Sequence, residues 1–470
     1  MLGIINKHFS KAYFPLLLKY FSLIIYAFLI YWGLNAFSSD PAFLKQLRNT
    51  NLGNLIVWSY WWPVIVFLAI FFGRVWCMVC PVEVITSFFA HIGFKRQRPG
   101  WIMSGWGITV FYIIILFIGI QGFAIHRNPF YMAVYLLVIT GVSIISGLFF
   151  EKNTFCRYLC PVGYMLGLYS RLSFFGWRVK SASTCESCKD KTCIHKNFRY
   201  NLNIKSCGVD LYPASIQDNS ACIMCAGCTK TCNAYQSSPD AERPNPGIRY
   251  IGFATDLFNL RPMKWAEMFF VFIVSGFVIS EIGSEWSVTE DLLNYLPENF
   301  SRIFNITDPI LTGLVSSCII FVAFPAVIWI LPYLIGRLTK SILTLNDYLL
   351  FYGSVFIPVI AAAHLDKAIL KSTSRLPYIK YALNDPAGKT TAQQILNGTL
   401  VVSKNPQWLY FTVSVLLTTV MLAGIYLSFK MVRKLNKKLN PVSNNLHFYG
   451  IPALFGAVFL FIIISWRWLS

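Results

Sequence analysis

Nine stretches of this chain are so long and so apolar that they leave it few options outside a lipid bilayer. A hydrocarbon core takes about 20 mostly apolar residues per helix. Candidates run over 20–37, 55–72, 102–125, 129–150, 265–281, 309–335, 347–365, 407–429 and 448–468. Composition agrees: 56% of residues are hydrophobic and 13% charged, against about 25% charged in ordinary soluble domains. The apolar segment 82–94 is too short to cross and reads as re-entrant or interfacial. The first run follows Lys7, Lys11 and Lys19 and carries no A-x-A cleavage site, so it reads as a retained helix rather than a removed signal. The expected fold is an all-α polytopic membrane protein of about nine transmembrane helices. It divides into an N-terminal transmembrane domain, 1–169, a polar insert, 170–264, and a C-terminal transmembrane domain, 265–470.

Orientation follows the bias of Lys and Arg toward cytoplasmic loops. With the N-terminus inside, the inner loops hold Lys95, Arg96 and Arg98, then Arg337 and Lys340, then Lys430, Arg433, Lys434, Lys437 and Lys438. The outer loop 282–308 is acidic, with Glu285, Glu290, Asp291 and Glu298. The outer loop 366–406 runs against the rule, with Lys367, Lys371, Arg375, Lys380, Lys389 and Lys404, but is outvoted. The insert is therefore expected in the cytoplasm, with lipid as the solvent of the spans; the bacterial inner membrane is the expected setting, as the family resemblance given below implies. The net charge of +20 fits basic inner loops. Nucleic acid is excluded as a partner, because no soluble basic module or binding motif is present. Walker, dinucleotide-binding, Ser-His-Asp and H-E-x-x-H patterns are also missing.

Eight of the 13 cysteines fall between Cys185 and Cys232. Cys222, Cys225, Cys228 and Cys232 form C-x2-C-x2-C-x3-C, the ligand run of bacterial [4Fe-4S] ferredoxins. Three thiolates spaced by three residues on a tight loop can each take one corner of a cubane, and the fourth corner must be reached from elsewhere. In two-cluster ferredoxins the fourth cysteine of each run serves the other cluster. Applied here, cluster one takes Cys185, Cys188, Cys193 and Cys232, and cluster two takes Cys207, Cys222, Cys225 and Cys228. The first group has wider spacings than the ferredoxin run, and Asn233 stands where Pro usually follows the last cysteine. Zinc is the competing occupant of C-x2-C pairs. Disulfides are disfavoured in a reducing cytoplasm. The fold expectation is thus completed by an inserted ferredoxin-like domain with two [4Fe-4S] clusters.

Two further pairs stand at the inner ends of spans, Cys77 and Cys80 before Pro81, and Cys156 and Cys160 before Pro161. The segments 55–81 and 132–161 look like a weak internal repeat. Its pairing would gather four thiols on the cytoplasmic face. Four such thiols could bind a metal, cycle between dithiol and disulfide, or line a quinone site; as free cysteines they could also simply pack as small apolar residues. Cys318, within a span, reads as packing alone. Glu83, just beyond Cys80, is a candidate acceptor for quinol protons or a solvated cap. His91, His126, His364 and His447 lie near span ends without the repeated pairs a haem needs.

The two Cys–Pro edges followed by a two-cluster insert resemble the membrane polyferredoxin family. Its members include the NapH-type quinol dehydrogenase subunit and NosR/NirI-type proteins, with CcoG/RdxA/FixG-type relatives. The resemblance covers about 55–264. It implies a four-span core, cluster ligands at the eight insert cysteines, and redox or metal roles for Cys80, Cys156 and Cys160. It also implies electron flow between the quinone pool and a periplasmic acceptor. The chain departs from the family where Trp76 occupies the place of the first cysteine of a C-x3-C-P edge, with Cys77 one residue later. The function expected is that of a membrane-bound iron–sulfur electron-transfer protein, with the resemblance implying a quinol dehydrogenase-type oxidoreductase subunit. Its electrons would pass between quinone, or a cytoplasmic donor, and a redox protein such as a periplasmic reductase, a flavoprotein or a cytochrome. The alternative is a redox-driven maturation or regulatory protein that keeps copper or another metal reduced.

Overall fold

The computed structural model describes residues 2–9, 11, 13–194, 206–232, 245–338, 343–439 and 446–469. Asn233 and Lys340, weighed above, lie outside the described residues. The chain is mostly helical. Among the described residues eight helices are long and apolar enough to cross a membrane: Leu16–Leu34, Leu52–Phe72, Pro129–Phe149, Trp265–Gly283, Leu311–Leu338, Leu345–Ser374, Gln407–Leu439 and Leu446–Leu469. The third expected span is a shorter apolar helix, Trp106–Gly122. Gly105, at φ 92°, breaks the chain just before it, and its last eight residues are wound as a π-helix. The segment after the second span is the short helix Pro81–Ile92.

The chain folds as two compact units that do not follow chain order. One comprises 1–31, 65–108 and 133–259; the other comprises 32–64, 109–132 and 260–470.

In the first unit, glycine permits close helix approach. A Cβ at Gly147, on Pro129–Phe149, would lie 2.8 Å from the Thr86 carbonyl oxygen on Pro81–Ile92. Tyr26, on the first span, donates to the Leu136 carbonyl at 2.9 Å. A two-stranded antiparallel ladder closes the base of the insert. Strand β1, Phe175–Val179, pairs with β2, Pro246–Tyr250, in a register running from Phe175 opposite Tyr250 to Val179 opposite Pro246. Two strands alone are marginal, and the ladder is braced. Asn6, on the N-terminal helix Leu2–Phe9, accepts from the Ile248 amide at 2.8 Å and donates to its carbonyl at 3.0 Å. That side chain satisfies the free edge of β2 as a third strand would.

In the second unit, Leu345–Ser374 is the most buried span and packs along Gln407–Leu439. Gly424 allows this, since a Cβ there would meet the Pro358 carbonyl at 2.9 Å. Trp329 stacks on Phe356 at 4.1 Å and donates to Ser275 Oγ at 3.1 Å. The expected seventh span ended at 365, yet helix continues to Ser374. Its charges explain why. Lys367 pairs with Glu281 at 3.3 Å and with Glu285, and Lys371 reaches Glu281 at 3.6 Å. Charges that read as loop are paired side chains on a helix.

Candidate functional site

The two Cys–Pro edges are built alike. In each, a five-residue helix, Val75–Val79 or Thr154–Tyr158, leads to a cysteine at an N-cap position. Proline then opens the next helix, Pro81–Ile92 or Pro161–Tyr169. Proline suits that first position because it has no amide hydrogen to leave unsatisfied and its φ is already helical. Extended backbone at Cys80 and Cys160 (ψ 128° and 106°) turns the chain, and Cys160 Sγ accepts from the Gly163 amide at 3.2 Å. Cys77 and Cys156 both occupy the third residue of their five-residue helices. The first edge is one residue shorter between its cysteines, but Cys77 falls at the position equivalent to Cys156.

The fold brings these four thiols together. Burial first, then Cys77 and Cys160, pushes the Cys80 thiol up to about 12. Burial, partly opposed by the Gly163 amide, raises Cys160 to about 11, with Cys77 adding to it. Cys156 is raised by burial, then by Glu83 and the other three thiols. Glu83 is itself buried and engaged. It pairs with Lys19 and accepts from Asn153 at 2.7 Å and Ser87 at 2.8 Å.

In the insert, Cys222 to Cys228 form a tight loop in which Met224 and Ala226 take left-handed backbone, φ 51° and 61°. These turns aim amides inward, and the Met224 amide donates to Cys222 Sγ at 3.4 Å. Trp177, on β1, donates its indole N–H to Cys228 Sγ at 3.1 Å, and the Leu211 amide donates to Cys207 Sγ at 3.3 Å. Asn245, at the foot of β2, donates to Cys185 Sγ at 3.0 Å. Cys185, Cys207, Cys222 and Cys228 are buried, and Cys188, Cys193, Cys225 and Cys232 partly so.

Electrostatic neighbours sort the eight. Cys193 is pushed up to about 12 by burial and then by Cys232, Cys185 and Cys188, with Cys207 a weaker neighbour. Cys222 rises to about 12 through burial, then Cys207 and Cys225, against the Met224 amide. Cys228 is raised by burial, then by Cys207, Cys225 and Cys222. The two groups abut where the Cys207 amide donates to the Cys193 carbonyl at 2.7 Å.

Arg74 joins the edge thiols to the second insert group. It is 3% exposed, follows Gly73 at φ 79°, and donates to the Ser220 carbonyl at 2.9 Å. Burial works against its charge, but Cys77, Cys160 and Cys222 more than offset that and raise its pKa. Cys77 packs with Cys207 and Cys225 in one apolar cluster. The edge and the insert are therefore one site. Sequence reasoning missed Arg74, whose one signal was its place in the Gly–Arg–Val–Trp–Cys lead-in to the first edge. Cys318, expected to pack as a small apolar residue, is instead exposed on its span. Asp366, expected in a loop, is fully buried on Leu345–Ser374, and neither carboxylate oxygen has a hydrogen-bond partner.

Among the described residues no three His, Cys, Asp or Glu converge as they would around one metal ion. Zinc draws its thiolates to about 2.3 Å from one centre, whereas a cubane spreads four thiolates over four corners. N–H···S bonds of the kind seen here are among the features that set cluster potentials.

A family model described as a 4Fe-4S binding domain matches residues 54–99 and 132–180. Each matched segment carries one Cys–Pro edge, and both end before Cys185. An uncharacterized protein of Methanocaldococcus jannaschii is 24% identical over 189 residues, covering 36% of this chain and 73% of that protein. No solved structure matches. What geometry and comparison together support is an iron–sulfur, polyferredoxin-like protein with multiple membrane helices, suited to electron transfer.

Proposed function

We propose that the insert holds two [4Fe-4S] clusters, one on Cys185, Cys188, Cys193 and Cys232 and one on Cys207, Cys222, Cys225 and Cys228. The protein then acts as an electron-transfer subunit between the quinone pool, or a cytoplasmic donor, and a redox partner protein. The observation that carries this reading is the sorting of the eight thiols into two groups that meet at the Cys193–Cys207 contact. Each cluster supplies a one-electron store. The chain's own groups do the rest. Trp177, Asn245 and the Met224 and Leu211 amides donate to the thiolates, which stabilises the more negative, reduced state. Arg74 places a fixed positive charge between the second group and the membrane-edge thiols, so negative charge arriving at either is partly compensated. Glu83, held by Lys19, Asn153 and Ser87, is occupied as a structural anion rather than poised as a proton acceptor. In this reading the N-terminus and the insert face the cytoplasm of a bacterial inner membrane, as the Lys/Arg bias favours.

A second reading has support of its own. Cys77, Cys80, Cys156 and Cys160 act on one another electrostatically beside the insert, a thiol-rich surrounding of the kind a protein that reduces a thiophilic metal such as copper would use.

Anaerobic EPR of the purified protein tests the first reading. Two reduced [4Fe-4S] signals, at least one formed by a menaquinol analogue, are expected. Signals that form with dithionite alone exclude quinol as donor, and zinc in place of iron overturns the assignment.

A further inference from the structure

The second unit holds a charged cavity of about 460 Å³ that electron transfer leaves unused. It opens among the helix Pro41–Thr50, the loop at His126 and Arg127, the end of Trp265–Gly283, and the last turns of Leu345–Ser374. A smaller cavity of about 260 Å³ shares His126, Arg127, Glu281 and Glu290 with it. Six cations line the larger one against three carboxylates. Two of those carboxylates, Glu281 and Glu285, are taken by Lys367 and Lys371. No ion pair engages Arg48, Arg127 or Arg375 among the described residues. Arg375 and Arg127 each lie within electrostatic reach of Arg48, as does Glu285, which partly offsets them. Arg48 is held below its ordinary pKa first by burial and then by Arg375 and Arg127. Two buried nitrogens on the lining, Arg48 Nε and His126 Nδ1, have no hydrogen-bond partner.

Like charges gathered in a partly buried cavity cost free energy unless an anion joins them. Guanidinium is also the group whose planar fork matches carboxylate and phosphate oxygens two at a time. The volume falls in the range of small-molecule sites, about 300–1,000 Å³. It is far larger than a single halide needs.

We propose that this cavity binds a small oxyanion, a carboxylate or phosphate group, held by Arg48, Arg127 and Arg375 with His126 as a hydrogen-bonding wall. The phosphate could come from a free metabolite or from a phospholipid headgroup, which share this chemistry. The proposal is independent of the clusters. It also accounts for the basic residues of 366–375 that run against the loop-charge rule: they line a site instead of reporting orientation.

The test uses the full-length holoprotein in neutral detergent, with inorganic phosphate, succinate and phosphatidylglycerol as separate probes in calorimetric titration and thermal melting. Saturable binding by at least one probe is expected. Arg48→Gln and Arg375→Gln should each weaken it about tenfold or more, the loss of one charge-assisted hydrogen bond. Arg433→Gln, on Gln407–Leu439 and outside the cavity, should leave it unchanged. Among the described residues neither cavity arginine makes an ion pair, so neutralising one breaks none there, and two variants guard against a folding defect in either. Binding of phosphatidylglycerol alone identifies a lipid headgroup, and binding of phosphate or succinate identifies a free solute. Failure of all three probes at millimolar concentration, or equal binding by wild type and both variants, overturns the proposal.

Discussion

The insert and the membrane edge hold their thiols by opposite means. In the insert, cysteines sit on loops and the short helices Ala182–Ser187 and Gly227–Lys230, kept in place by left-handed residues at Met224 and Ala226 and by N–H···S bonds. At the edge, each cysteine is part of a repeated helix–Cys–Pro–helix unit whose geometry follows from helix capping. The insert loops pack Val209, Ile223, Met224 and Ala226 into apolar clusters around the thiols themselves, so a ligand held by those thiols, as proposed above, would sit at the centre of what orders them. A helix cap rests on hydrogen bonds the chain makes anyway. The difference teaches that two sets of thiols sharing one arginine can differ in how far they depend on a cofactor.

Removing iron is the strongest way to break that comparison. In iron-free protein, limited proteolysis should open the segment 182–232 while the helices Pro81–Ile92 and Pro161–Tyr169 stay protected and far-ultraviolet dichroism barely changes. Equal cleavage at the edge would erase the distinction.

Alkylation sharpens it. The thiolate is the reactive form. In the iron-free protein an opened insert returns its thiols to an ordinary value near 9, while the capped edge keeps Cys160 near 11 and Cys80 near 12. At pH 8 iodoacetamide should therefore label the insert cysteines about a hundredfold faster than Cys160. The edge rate should climb about tenfold per pH unit up to those values, as mass spectrometry of the labelled peptides would reveal.

Arg74 gives the smallest effect and the finest cut. Arg74→Gln removes a positive charge beside Cys222, Cys77 and Cys160. It should lower the potential of the second cluster by on the order of 60 mV, the one-electron equivalent of about 1.4 kcal/mol, and leave the first unchanged. Redox-poised EPR would detect this, and an equal shift in both clusters would mean the arginine acts through general destabilisation.

What could be read from the chain alone was whatever is local. Apolar runs located eight of the helices, six of them to within a few residues at both ends, and the doubled Cys–Pro pattern announced the edge. The third run begins four residues later as a helix than its hydropathy suggests, because hydropathy is blind to the break at Gly105. The seventh helix looked too short because Lys367 and Lys371 answer to Glu281, which lies far away in sequence. Arg74 escaped for the same reason. Its meaning depends on Ser220 and Cys222, which the fold delivers from the insert.

The ladder at the base of the insert has a consequence for how such chains can vary. Val179 and Pro246 are register partners, so the segment between them leaves and re-enters the scaffold at points about 5 Å apart, one strand spacing. A cassette mounted on adjacent posts can be lengthened, shortened or exchanged without moving the helices that carry it. The wide cysteine spacings of the first group are the kind of drift such a mounting tolerates, and a foreign two-cluster module grafted between these two residues would find its attachment points already in place.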